Sequence, residues 1–117
     1  MLLDRQMLLE RSSRPVADAV RHLVGLQAQA PWSPYHALWS RLDPFDPHEL
    51  GAMLTDRRAV RIAIMRSTVH LVTAEDCRFL RPLHAAFLER ALLTSTWRTG
   101  LDDLDLGAVV AAGRALV

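Results

Sequence analysis

The chain has no lysine: all 14 of its basic residues are arginine. A side-chain Schiff base is therefore excluded, and with it the lyase chemistry that needs one. There is one cysteine, Cys77, so no internal disulfide and no cysteine pair for a metal, and a reducing cytoplasm is the expected compartment. Net charge is only +1, so no overall polycation attracts nucleic acid. Any anion-binding surface has to come from arginines gathered on one face. No run approaches the roughly 18 consecutive apolar residues of a membrane helix. The opening MLLDRQMLLE carries Asp4, Arg5 and Glu10 and is no signal peptide, so no membrane partner is expected. His22, His36, His48 and His84 fall at no metal-ligand spacing, and neither metal nor cofactor is expected. What is present is 117 residues, 50% of them hydrophobic, which is enough for one domain's core.

Apolar spacing predicts short helices first. Residues 2–10 read as one helix. A second runs from Val16 to about Leu26 with Ser13 as its cap, and a third runs from Ser33-Pro34 to Leu42. Asp46-Pro47 caps a fourth, from His48 to about Asp56. Trp32, Tyr35 and Trp39, spaced i, i+3 and i+7, read as core packing. The period then changes. VRIAIMRS alternates Val60, Ile62 and Ile64 against Arg61 and Met65, and TVHLVT alternates Thr68, His70 and Val72 against Val69, Leu71 and Thr73. Two strands this close make a hairpin turning near Arg66-Ser67, or one bent strand, with neither Gly nor Asn to mark the turn. A helical stretch from Ala74 to about Thr94 contains Pro82, where it kinks or where two helices meet. Helices followed by a hairpin are the plan of a winged helix, mainly α with a β-hairpin, a derivative of the helix-turn-helix. The expected organisation is a first unit over 1–94, a linker over 95–103, and the start of a second, truncated unit over 104–117.

The stretch GLQAQAPW sets Gln27 and Gln29 around one alanine ahead of Pro31. In a helix, positions two apart point to opposite sides, whereas in extended backbone they point the same way. Pro31 pushes Ala30 out of helical dihedrals, so the two amides can converge. Each amide offers one acceptor and two donors, enough to orient a water molecule but with no base strength. Such a pair suits only a substrate already primed to break. An N7-alkylated purine, whose ring carries positive charge, is one. The pair fits equally well as a helix end whose amides satisfy backbone groups.

Several words of the sequence, in order, carry a resemblance: DRQMLLERS, HLVGLQAQAPWSPYHALWSRL, FDP and MRSTVHLVTAEDC. They are similar to the N-terminal part of AlkZ-like and YcaQ-like winged-helix proteins, the crosslink-repair DNA glycosylases. The resemblance is densest from about Arg5 to Arg81. It implies a much longer protein of three tandem winged-helix units around a DNA channel, with this chain as the first unit and the beginning of the second. It also implies that Gln27 and Gln29, matching a Gln-x-Gln element, are catalytic, and that Thr68 and His70, matching a Thr-x-His element, support them. The partner implied is double-stranded DNA with alkylated purines, and the reaction is hydrolysis of the N-glycosidic bond. Arg66 at the turn, with Arg57, Arg58 and Arg61 ahead of the hairpin, are candidate phosphate contacts. Two other functions fit the same words: a winged-helix regulator that binds duplex DNA without catalysis, and a fragment holding the catalytic words without the channel. The sequence leaves the oligomeric state open.

Overall fold

Short helices, three of them followed by a residue in the left-handed region, set the architecture. The structure, a computed structural model, describes residues 1–96 and 98–116. It contains α1 (Leu2–Arg5), α2 (Val16–His22), β1 (Leu26–Gln27), α3 (Ser33–Trp39), α4 (Pro47–Thr55) and β2 (Ala59–Ala63). A 3-10 turn (Met65–Ser67) leads to β3 (Val69–Thr73), α5 (Ala74–Leu83) and α6 (Ala85–Leu93), and a second 3-10 turn (Arg98–Gly100) precedes α7 (Leu106–Ala115). Helices α1, α2 and α4 end in left-handed residues other than glycine: Met7 (φ 54°), Val24 (φ 58°) and Arg57 (φ 58°). In α2 the Val24 N–H reaches the Arg21 carbonyl (3.0 Å) and the Gly25 N–H the Val20 carbonyl (3.1 Å). That paired closure satisfies the last carbonyls of the helix and turns the chain sharply.

The turn has a direct consequence for the sheet. The helix expected to reach Leu26 stops at His22, and Leu26–Gln27 emerges as a strand instead. Gly25 makes the transition at φ 106°. A Cβ there would lie 2.8 Å from Val72 Cγ1 and 3.0 Å from the Leu71 carbonyl oxygen, so only glycine fits. β1 pairs antiparallel with β3, and β3 with β2, giving the order β1-β3-β2. The succession helix, strand, two helices, strand, turn, strand with the third strand central is that of a winged helix, with α3 and α4 as its helix-turn-helix pair. The hairpin turn falls where expected. Arg66 (φ 54°) and Ser67 (φ 57°) are both left-handed, and the Thr68 N–H closes onto the Met65 carbonyl at 3.1 Å. Positive φ at both central residues matches the twist of the flanking strands, although neither residue is the glycine or asparagine that adopts it without strain.

Each face of the sheet has its own core. Leu26, Ala59 and Leu71 pack with Val16, Val20, Leu38, Leu50 and Met53 from α2, α3 and α4. On the opposite face Val72 packs with Ile64 and Leu80, bordered by Val60, Ile62 and Cys77. Asp46 caps α4 as expected, its Oδ1 accepting from the His48 N–H at 2.8 Å. Ser13 does not cap α2; Glu49, from α4, accepts from the Val16 N–H at 3.2 Å instead. Of the aromatic stripe only Tyr35 packs against the core: Trp32 and Trp39 are 69% and 62% exposed, while Pro34 and Leu38 of the same helix are buried. Trp39 instead lies under the Arg11 guanidinium, 5.5 Å from its ring centroid. Burial pulls the Arg41 guanidinium below its ordinary pKa, and it donates to the carbonyls of Gln6 (2.9 Å) and Ala37 (2.8 Å).

The expected helix across Pro82 is two helices: α5 closes on His84 and α6 starts at Ala85. By contact the chain divides into Met1–Ala85 and Ala86–Val117. Among the described residues of the second unit none is buried, and α7 starts at an Asp105 cap that accepts from the Gly107 and Ala108 N–H groups (2.9 and 3.1 Å). Within the expected linker and the last expected helix, Trp97 and Val117 lie outside the described residues.

Candidate active site

Gln27 and Gln29 are both exposed, with Ala28 fully buried between them, the alternation that extended backbone imposes. The ladder that holds them extended runs through Gln27 opposite His70 and continues with the Ala28 N–H donating to the Val69 carbonyl at 2.8 Å. That bond makes Gln27 and His70 the closer of the two kinds of antiparallel pair, with their side chains on one face. Ile62, across from His70 on β2, completes the row.

The hydrogen bonds give each group a role. The Gln29 Oε1 accepts from the Val69 N–H at 3.1 Å. An N–H can be met only by the carbonyl end of an amide, so the orientation of Gln29 is decided and its NH₂ is left to donate outward. The Gln27 side chain makes no hydrogen bond among the described residues, and it offers both acceptor and donors. His70 is 6% exposed, with its Nδ1 3.0 Å from the Thr68 carbonyl. Because a carbonyl only accepts, Nδ1 carries the proton, and in the neutral ring Nε2 is the acceptor. Thr68 contributes through this backbone oxygen, while its hydroxyl donates to the Met65 carbonyl at 3.0 Å. The four residues thus form one cluster at the turn end of the sheet: an unpaired amide, an amide pinned by its oxygen, and an imidazole with fixed tautomer.

A family model described as DNA glycosylase AlkZ-like matches residues 20–117. The chain belongs to the AlkZ-like DNA glycosylase family. The DNA glycosylase AlkZ of Streptomyces sahachiroi has a similar structure, with a TM-score of 0.70 at 23% identity over 84% of this chain. At that identity the likeness is one of fold. The chain spans 26% of the length of that enzyme. No curated protein matches the chain.

The candidate arginines are distributed unevenly. Arg66 sits exposed at the hairpin tip beside Thr68. Arg61 is turned to a structural partner, donating to the Ala28 carbonyl at 2.6 Å. Arg57 is the left-handed residue after α4, and Arg58, 3.5 Å from Asp56, stands at the other end of β2. From Ile62 back to Arg58 is about 13 Å of strand at ~3.3 Å per residue, so Arg57 and Arg58 are not brought to the glutamines. The grooves described in the first unit lie elsewhere: one involves Arg5, Glu10, Arg14 and His22, and the other is apolar, between Trp32, Tyr35 and the start of α4. Gln27, exposed on the edge strand β1, meets solvent. Among the described residues no group of three or more His, Cys, Asp or Glu could hold a metal ion, and no helix is long and apolar enough to cross a membrane. The sequence reading missed β1 itself, whose one local signal is Gly25 directly after an apolar helical run.

Proposed function

We propose that the cluster at Gln27, Gln29 and His70 hydrolyses the N-glycosidic bond of N7-alkylated or crosslinked purines in double-stranded cytoplasmic DNA. The observation that carries this is the extended Gln-x-Gln, which faces two uncharged amides outward beside His70. Neither amide can remove a proton for good, so the substrate has to supply the driving force. In an N7-alkylpurine the bond from C1′ to N9 breaks with its electron pair moving onto the cationic base, which leaves neutral. The water oxygen bonds to C1′ as the sugar develops oxocarbenium character. Gln27 accepts a hydrogen bond from that water, the Gln29 NH₂ donates to it, and its surplus proton passes to the His70 Nε2 or to solvent. Positioning and charge stabilisation of this kind are worth about 100- to 1,000-fold per well-placed donor.

A duplex-reading regulator is disfavoured by α4, the helix at the groove-reading position. Its sequence, PHELGAMLT, has no arginine, and its exposed residues include Glu49. Arginine or lysine is the commonest reader of guanine from that position, and α4 offers neither. The test is incubation with duplex DNA carrying N7-alkylguanine, with free base detected by mass. Release by the parent, lowered about 100-fold or more in Gln27→Ala/Gln29→Ala, is the expected result. Equal release by the double variant overturns the reading. Sequence-selective duplex binding with no base release makes the protein a regulator.

A further inference from the structure

Arg61 is at an odd place for a phosphate contact. It stands on β2 opposite Leu71 of the central strand, yet its guanidinium reaches past that strand to the Ala28 carbonyl just after β1, 2.6 Å away. That carbonyl has a natural partner. Where the Ala28 N–H donates to the Val69 carbonyl, an antiparallel ladder is completed by the Val69 N–H donating back to the Ala28 carbonyl. Here the return bond is not made, and both of its ends are given to side chains: the carbonyl to Arg61, and the Val69 N–H to the Gln29 Oε1. The two go together: with the return bond open, the Val69 N–H donates to Gln29 and the Ala28 carbonyl accepts from Arg61.

We infer that Arg61 is a positioning residue: by holding the Ala28 carbonyl out of reach of the Val69 N–H it leaves that N–H to Gln29, and the N–H fixes the orientation of the Gln29 amide. Removing the guanidinium lets the backbone pair close, and Gln29 is released. Arg61 touches no substrate in this role and acts only through Gln29. The catalytic consequence rests on the hydrolytic reading above, whereas the competition for the Val69 N–H does not.

Arg61→Met, measured by NMR through the hydrogen-bond coupling between Val69 N and Ala28 C′, is expected to show that coupling where the parent shows none. The Gln29 side-chain amide resonances should shift with it. Gln29→Ala, an exposed substitution, gives a second view: with Arg61 still on the carbonyl, the Val69 N–H loses its partner and exchanges faster with solvent. In base release, Arg61→Met should lower kcat by roughly 10- to 100-fold. Duplex affinity and its salt dependence should be unchanged, and there should be no further loss when Arg61→Met is added to Gln29→Ala. A phosphate contact would instead weaken binding, with the slope of affinity against salt falling by about one. That result, or a Val69 N–H that stays protected in Gln29→Ala, overturns the inference. If the parent releases no base, the NMR result still decides it, and only the hydrolytic reading fails.

Discussion

The two ends of the three-stranded sheet are built on opposite terms. At the Thr73 end the main chain and its caps close everything. The Ala74 N–H donates to the Arg58 carbonyl at 2.9 Å, and the Thr73 Oγ1, on a residue 4% exposed, accepts from the Asp76 N–H (3.1 Å) and donates to the Asp76 Oδ2 (2.7 Å). At the Val69 end the ladder is handed to side chains: Gln29 takes an N–H, Arg61 takes a carbonyl, and His70 anchors its ring on Thr68. The turn beyond is held left-handed by two residues that are not glycine. The difference teaches where polar function can arise in so small a sheet. A backbone N–H given to the ladder holds no side chain, while a backbone group that pairs with a side chain fixes that side chain's direction.

The comparison can be broken or sharpened in four ways. Leu71, fully buried between the rows that serve both ends, is the heaviest blow: Leu71→Ala should cost about 2–5 kcal/mol, read as the denaturant midpoint, and both ends should fail together. Gly25→Ala acts on the open end, where the new methyl meets the Leu71 carbonyl and keeps an unfavourable φ. About 2 kcal/mol of stability should be lost, together with base release, because β1 can no longer dock on β3. Thr73→Val removes the cap at the closed end. A loss of about 1 kcal/mol in thermal unfolding is expected with unchanged base release, and a drop in catalysis would mean that the two ends are coupled. Ser67→Gly is smallest and of opposite sign, stabilising by up to about 1 kcal/mol by relieving the left-handed backbone at the turn.

Much of the hairpin was legible in advance. The alternation puts Val60, Ile62 and Ile64 on one side of the first strand and His70 and Val72 on one side of the second, and the turn is at Arg66-Ser67; pairing of β2 with β3 joins the two sets on one face, with Met65, expected opposite, packed among them. The Asp46 cap was equally plain, because an aspartate side chain accepts well at an N-cap and proline suits the first helical position. Trp32 and Trp39 misled for a physical reason. Helical spacing says that residues share a face, but α3 spends its buried face on Pro34 and Leu38. The end of α2 misled because Val20, Leu23, Val24 and Leu26 continue a helical period across the break. The break itself is a β-branched residue in a conformation that such residues rarely adopt.

The amino-acid order by itself determined the capped start of α4, the pleat of the hairpin and the spacing of Gln27 and Gln29 around one small residue. A two-residue strand has no local stability of its own, so nothing near Leu26 could decide that it would be one. That was decided by β3, some 40 residues further along, whose Val69 N–H and carbonyl hold Gln29 and Ala28. It was decided also by Arg61 on a third strand, reaching past β3 to the same peptide. Which way the two amides face is therefore a property of the closed sheet, since only pairing with a distant strand supplies the hydrogen bonds that keep that segment extended.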